Sequence, residues 1–274
     1  MGNVFISIKD IDMSNVIWID ARFNLQNAEE GRKLYGQEHV KGAVYWDLEK
    51  DLSDMTKDEG RHPMPDKEQL RSLFERSGLQ YDTDKTIAVY DQGASPFATR
   101  AWWMLQYGGF KNAKIVKEGY VVIKEAGIAV QSGEEVITTT TTLKPRWQDD
   151  LYVNRTGVKE IVDGKVKKVL LDARAEARYL GKIEPMDKVA GHIPGARNFD
   201  WEQLKADGVL TTNQKLHDVV KQDEQIVVYC GSGVTASPLF AILKEDGYSN
   251  VQLYTGSYSD WITEYAPEKG ISKK

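Results

Sequence analysis

The sequence predicts an α/β fold built twice, as two similar halves that each hold a mainly parallel sheet with helices on both faces. Two observations carry this. Short apolar, β-branched runs alternate with helical stretches, the pattern of parallel strands with helices crossing between them, and the whole series of runs occurs once in each half of the chain. The length agrees, since 274 residues suit two domains of roughly 100–150 residues better than one core.

The elements pair in order. Val16-Ile17-Trp18-Ile19-Asp20-Ala21-Arg22 faces Val169-Leu170-Leu171-Asp172-Ala173-Arg174, and both read as short buried strands ending in Asp-Ala-Arg. Next come His39-Val40-Lys41-Gly42-Ala43-Val44 and His192-Ile193-Pro194-Gly195-Ala196-Arg197. A further apolar strand follows in each half, Ile87-Ala88-Val89-Tyr90-Asp91 and Ile226-Val227-Val228-Tyr229-Cys230, leading into helix-like runs at 98–107 and 236–245. Gly109-Phe110-Lys111-Asn112 then matches Gly247-Tyr248-Ser249-Asn250, and Gly119-Tyr120 matches Gly256-Ser257-Tyr258. The polar stretch 131–144, with threonine at every position from 138 to 142, has no helical period. The expected division is therefore 1–135, a linker at 136–149, and 150–274. Because threonine is β-prone, an extended strap across the surface fits the linker equally well.

Composition narrows the function classes. No segment approaches the ~20 continuous apolar residues of a membrane span, so no membrane partner is expected. A net charge of −5 with both signs spread along the chain gives no basic footprint for nucleic acid. The amino terminus has neither a basic, then apolar, export signal nor a myristoylation pattern. A single cysteine forms no internal disulfide and favours a reducing compartment, so the expected location is the cytoplasm. One cysteine and four histidines form no cluster at metal-ligand spacing, so no metal is expected.

That one cysteine carries the chemistry. A lone cysteine after Ile-Val-Val-Tyr is in general a small core hydrophobe, but Cys230 is followed by Gly231-Ser232-Gly233-Val234-Thr235-Ala236 and by Ser237-Pro238 opening a helix. Glycines let the backbone fold closely around the sulfur, so that N–H groups form an anion nest beside the helix's positive end. This is a setting that favours a thiolate. A cysteine phosphatase would use similar elements, but it needs an arginine six positions after the nucleophile to clamp phosphate, and Ala236 stands there.

With these motifs the chain resembles the rhodaneses, specifically the tandem-domain thiosulfate and 3-mercaptopyruvate sulfurtransferases. The resemblance covers nearly the whole chain. It rests on Gly191-His192-Ile193-Pro194-Gly195-Ala196, on the six-residue loop 230–235, and on Gly256-Ser257-Tyr258-Ser259-Asp260-Trp261. It implies a catalytic second half, in which Cys230 carries sulfur as a persulfide, and a first half whose loop has lost its cysteine, with Asp91 in that place. A small sulfur donor and a thiol or thioredoxin-like acceptor are the implied partners, and no cofactor is required. The alternative from another class is a non-catalytic rhodanese-like binding module, against which the retained cysteine and intact glycine loop speak.

The loop also bears on the donor. In the family, thiosulfate enzymes tend to carry basic residues in the loop and mercaptopyruvate enzymes Gly-Ser or Gly-Thr; this loop reads Gly231-Ser232. A keto acid can place its carboxylate on a more distant arginine, and the resemblance gives Arg178 that role, with Gly231, Gly233, Val234 and Thr235 around the substrate. A second family arginine follows Glu-Pro, where this chain has Glu184-Pro185-Met186, leaving thiosulfate open. Ser232 and His62, in Arg61-His62-Pro63-Met64-Pro65, are the implied acid–base groups, with Glu49 or Asp51 as the carboxylate orienting His62. His39 and His192 belong to the duplicated element and are expected to be structural, and Trp102, Trp103 and Trp261 to serve core and interdomain packing.

Overall fold

The computed structural model describes residues 4–137 and 142–272. In the first half, β1 (Phe5–Ile6), β2 (Val16–Asp20), α1 (Glu29–Gln37), β3 (His39–Val40), β4 (Val44–Tyr45), α2 (Lys67–Arg76), β5 (Thr86–Tyr90), α3 (Phe97–Tyr107), β6 (Ala113–Val116), α4 (Tyr120–Glu125) and β7 (Val130–Gln131) follow in order. The second half continues with α5 (Arg155–Val162), β8 (Val169–Asp172), α6 (Glu176–Tyr179), β9 (Arg197–Asn198), β10 (Lys205–Ala206), β11 (Val209–Leu210), α7 (Gln214–Val219), β12 (Ile226–Tyr229), α8 (Ser237–Glu245), β13 (Val251–Leu253) and α9 (Ser257–Trp261). Among the described residues no helix is long and apolar enough to cross a membrane.

Each half forms one parallel sheet, β1-β6-β5-β2-β4 and β13-β12-β8-β9. Apart from β1 the strand orders coincide. Tyr152 bridges Leu253 in parallel at the edge that β1 occupies in the first sheet. The central strands β5 and β12 are covered on both faces, which is why they read as unbroken apolar runs. Their side chains alternate: Ile226, Val228 and Cys230 face one apolar core while Val227 and Tyr229 face another.

The core on the Cys230 face is common to both halves. Here α3 lies against α8, with Phe240 set between Trp102 (6.2 Å between ring centres) and Trp103 (6.5 Å, edge-on). Helix α3 is buried nearly all round because its own sheet covers one side and α8 the other. Of the stretch 136–149, residues 138–141 lie outside the described residues. Near its end Leu143 is buried, its N–H donates to Glu75 (2.9 Å), and Trp147 packs on Tyr107 of the first half (5.3 Å).

The duplicated motifs build the same buried network twice. Arg22 pairs with Asp20 (2.6 Å), donates to the Glu38 carbonyl and lies over Tyr120 (3.9 Å). Arg174 does the same with Asp172 (2.7 Å), the Gly191 carbonyl and Tyr258 (4.0 Å). His39 and His192 each stack on a tyrosine, Tyr35 and Tyr179, at 3.9 Å, and bond that tyrosine's carbonyl through Nδ1. Both histidines are fully buried.

Candidate active site

Cys230 leaves the end of β12 and its Sγ accepts a hydrogen bond from the Gly233 N–H at 3.1 Å. That contact depends on backbone shape. Gly233 has φ +77 and presses against the Thr255 backbone so closely that a Cβ would collide with the Thr255 carbonyl, so a glycine is required there. From the other side, Tyr258 N–H donates to the Cys230 carbonyl (3.0 Å) and Ser259 N–H to the Gly231 carbonyl (2.9 Å). The loop is thus fixed between the start of α8 and α9.

The first half's loop preserves this construction around a different group. Asp91 accepts from the Gly93 N–H (2.8 Å) through one oxygen and from the Ala98 N–H (2.9 Å) through the other. Its carboxylate stands at the place that Cys230 takes in the second half. Burial pushes the Asp91 carboxyl up to about 6 even against these donors, and a carboxylate cannot accept sulfur transfer.

The first half does reach the second half's loop. Residues 59–64 lie against α9, with the Arg61 N–H on Ser259 Oγ (3.1 Å), and this delivers His62 Nδ1 to 2.8 Å from Ser232 Oγ. Burial, followed by the charges of Arg100 and Arg61, lowers the His62 pKa to about 4, so the ring is neutral at neutral pH. Neither expected carboxylate orients it. Asp51 accepts from the Asp47 N–H (2.8 Å) and pairs with Arg76, and among the described residues no carboxylate hydrogen-bonds His62.

Arg178, from α6, stands over the loop, and it does not stand alone. A Cβ added to Gly231 would lie 3.5 Å from Arg178 Nη2 and 2.5 Å from Arg61 Nη2, so two guanidinium groups from different halves converge beside the residue next to Cys230. Met186, where the family places a second arginine, is exposed, and Arg61 is the other guanidinium beside Gly231. Both cations carry acidic partners: Arg178 bonds Glu184 (2.7 Å) and Asp187 (3.3 Å), and Arg61 pairs with Asp187.

The remaining loop residues separate. Val234 is buried in the shared core, so only its backbone can meet a ligand. Thr235 lines a different groove with Phe23, Gln92 and Trp201, away from the arginines. Sequence reading also missed Arg100 of α3, which is fully buried and donates to the Gly233 carbonyl (3.2 Å) and the Leu52 carbonyl (3.3 Å). Burial lowers its pKa to about 10, with the Cys230 charge acting in the opposite direction. Its only local signal is a charge inside an otherwise uncharged helix.

Comparison with known proteins places these features in context. The rhodanese-like domain matches twice, at residues 8–126 and 156–264. A probable 3-mercaptopyruvate sulfurtransferase of Pseudomonas aeruginosa is 35% identical over 265 residues, covering 91% of this chain and 90% of that protein. A putative thiosulfate sulfurtransferase of Mycobacterium tuberculosis is 34% identical over 90% of this chain and 87% of its own length. Among solved structures, the 3-mercaptopyruvate sulfotransferase of Escherichia coli superimposes with a TM-score of 0.77 at 29% identity, covering 93% of this chain and 98% of that one. The 3-mercaptopyruvate sulfurtransferase from Leishmania major gives 0.83 at 26% identity, over 96% of this chain and 75% of that one.

Proposed function

The chain belongs to the rhodanese family of sulfurtransferases, with two copies of the domain, and from that premise we propose that Cys230 carries sulfur as a persulfide from 3-mercaptopyruvate to a thiophilic acceptor. In this reading the second half, 150–274, holds the reacting cysteine, and the first half, 1–135, contributes His62 and Arg61 to its cleft across the linker at 136–149.

The Cys230 thiolate attacks the donor's sulfur, the carbon–sulfur bond breaks, and the pyruvate enolate leaves. The proton on the transferred sulfur passes to the enolate, and Ser232 with neutral His62 is the relay that moves it. The Gly233 N–H holds the sulfur, and Arg61 and Arg178 take the donor's carboxylate, a two-point hold suited to a planar anion.

The observation that carries the choice of donor is the His62–Ser232 hydrogen bond of 2.8 Å next to Cys230. Mercaptopyruvate requires a proton to be moved, whereas sulfite leaving from thiosulfate does not. The absence of basic residues within loop 230–235 points the same way. Cyanide, a small thiol or a thioredoxin-like reductant then removes the sulfur, in a compartment such as the cytoplasm where such thiols stay reduced.

Steady-state rates with both donors test this. Mercaptopyruvate should give the higher kcat/KM, and Arg178→Ala should raise its KM by a factor equivalent to about 2 kcal/mol, the lower end for losing one partner of a desolvated charge pair. A preference for thiosulfate together with an unchanged mercaptopyruvate KM in Arg178→Ala would remove the donor assignment.

A further inference from the structure

Asp187 occupies the space that the donor reading reserves for a substrate. One of its oxygens pairs with Arg61 Nη1 and the other lies 3.3 Å from Arg178 Nη2, so a single carboxylate spans guanidinium groups from both halves. Among the described residues these two arginines are its only side-chain hydrogen-bond partners. Its neighbour Glu184 differs, being tied also to Arg174 (3.2 Å) and to the backbone N–H groups of Met186 (3.0 Å) and Asp187 (3.2 Å). Glu184 is therefore part of the wall, whereas the Asp187 carboxylate is hydrogen-bonded by the cleft's cations.

We propose that Asp187 is an internal competitor for the Arg61–Arg178 pair, and that its displacement sets the enzyme's apparent affinity for anionic donors. The inference rests on the reading that these arginines hold the donor's carboxylate. An incoming carboxylate exchanges one guanidinium–carboxylate pairing for another, so most of the ion-pair energy is conserved. What remains is the work of releasing Asp187, and the donor's apparent affinity falls by the fraction of molecules in which the arginines are free.

The surrounding segment suits such release. Residues 183–190 form no helix or strand, and Ile183, Met186 and Val189 are exposed, so Asp187 can move outward without uncovering the core. Burial also pushes the Asp187 carboxyl up from its ordinary value, so the buried anion is held less securely than two adjacent cations would suggest.

Two measurements on the full chain test the proposal. The first is KM and kcat for 3-mercaptopyruvate in the wild type, Asp187→Asn, Arg178→Ala and the double variant, with Asp187→Ser as a second replacement in case the amide perturbs folding. The second is the ratio of Cys230 alkylation rates by iodoacetate and iodoacetamide, one anionic and one neutral, which reads cation availability at the only cysteine. Asp187→Asn should lower KM about tenfold, leave kcat within a factor of about two, and raise the iodoacetate-to-iodoacetamide ratio; in the double variant both gains should vanish. Glu59→Gln makes the same charge change at an exposed position two residues before Arg61 and should lower KM far less. An unchanged or raised KM in Asp187→Asn, with Arg178→Ala still raising KM, would overturn the competitor while leaving the donor reading intact. An equal effect in Glu59→Gln would reduce the matter to general charge and also overturn it. If Arg178→Ala left KM unchanged, the donor reading itself would fail and the competitor with it.

Discussion

His62 shows how a single side chain acquires its role from burial. Its Nδ1 meets Ser232 Oγ at 2.8 Å, and with burial and two arginines nearby its pKa falls to about 4, well below the ordinary value near 6.5. The unfolded chain therefore binds the proton more readily than the folded one between about pH 4 and 6.5, so His62 contributes stability that is fully present above pH 6.5 and is lost as pH falls toward 4. His62→Gln should flatten this part of the stability curve, on the order of 2 kcal/mol, as read by urea denaturation at pH 4.5 and 7.5. The same variant should lower kcat with mercaptopyruvate by 10²-fold or more, the usual scale for a lost acid–base group, with a smaller loss with thiosulfate. An equal loss with both donors would mean that His62 only shapes the cleft. At this scale the sequence was informative where residues act within their own motif: Cys230, Ser232 and Gly233 could be placed because strand, loop and helix are contiguous. Arg61 was overlooked although it adjoins His62, because nothing local shows that it crosses to Gly231 of the other half. Asp187 was invisible as a partner for the same reason.

Among the elements, α3 and α8 couple the two halves. The strand alternation that turns Cys230 toward the shared core also turns it toward these helices, and Arg100 of α3 reaches the loop from behind through the Gly233 carbonyl. Phe240 is 1% exposed and packed against Trp102 and Trp103. Phe240→Ala should cost about 3–5 kcal/mol, through lost burial and the cavity left between the helices, and should depress sulfur transfer because the loop is anchored at the start of α8. A denaturation midpoint unchanged from wild type would mean that the interface is not a common core. Alternating apolar runs and the paired Asp-Ala-Arg and His-x-x-Gly-Ala elements made both sheets readable from sequence, since these patterns are local and repeated. Which helix faces would meet was not readable, because α3 is apolar nearly all round and its outer face carries no periodic signal of a partner.

In the whole molecule the duplication sets a cysteine and an aspartate at corresponding strand ends, Cys230 after β12 and Asp91 after β5. Loops at corresponding places in the two sheets hold different groups: the first gives two backbone N–H groups to the Asp91 carboxylate, and the second gives the Gly233 N–H to the Cys230 sulfur. The first half nevertheless supplies Arg61, His62 and Arg100 to the second half's loop, so the cleft is composed from both. In the proposed reaction sulfur rides on Cys230 alone. Intact-mass measurement of the full chain after incubation with 3-mercaptopyruvate and removal of excess donor tests this most directly. The wild type should gain the mass of one sulfur atom, lose it on addition of cyanide, and Cys230→Ser should gain none while remaining folded. Sulfur added to the serine variant, or turnover by the wild type that never passes through a sulfur-bearing chain, would contradict the account.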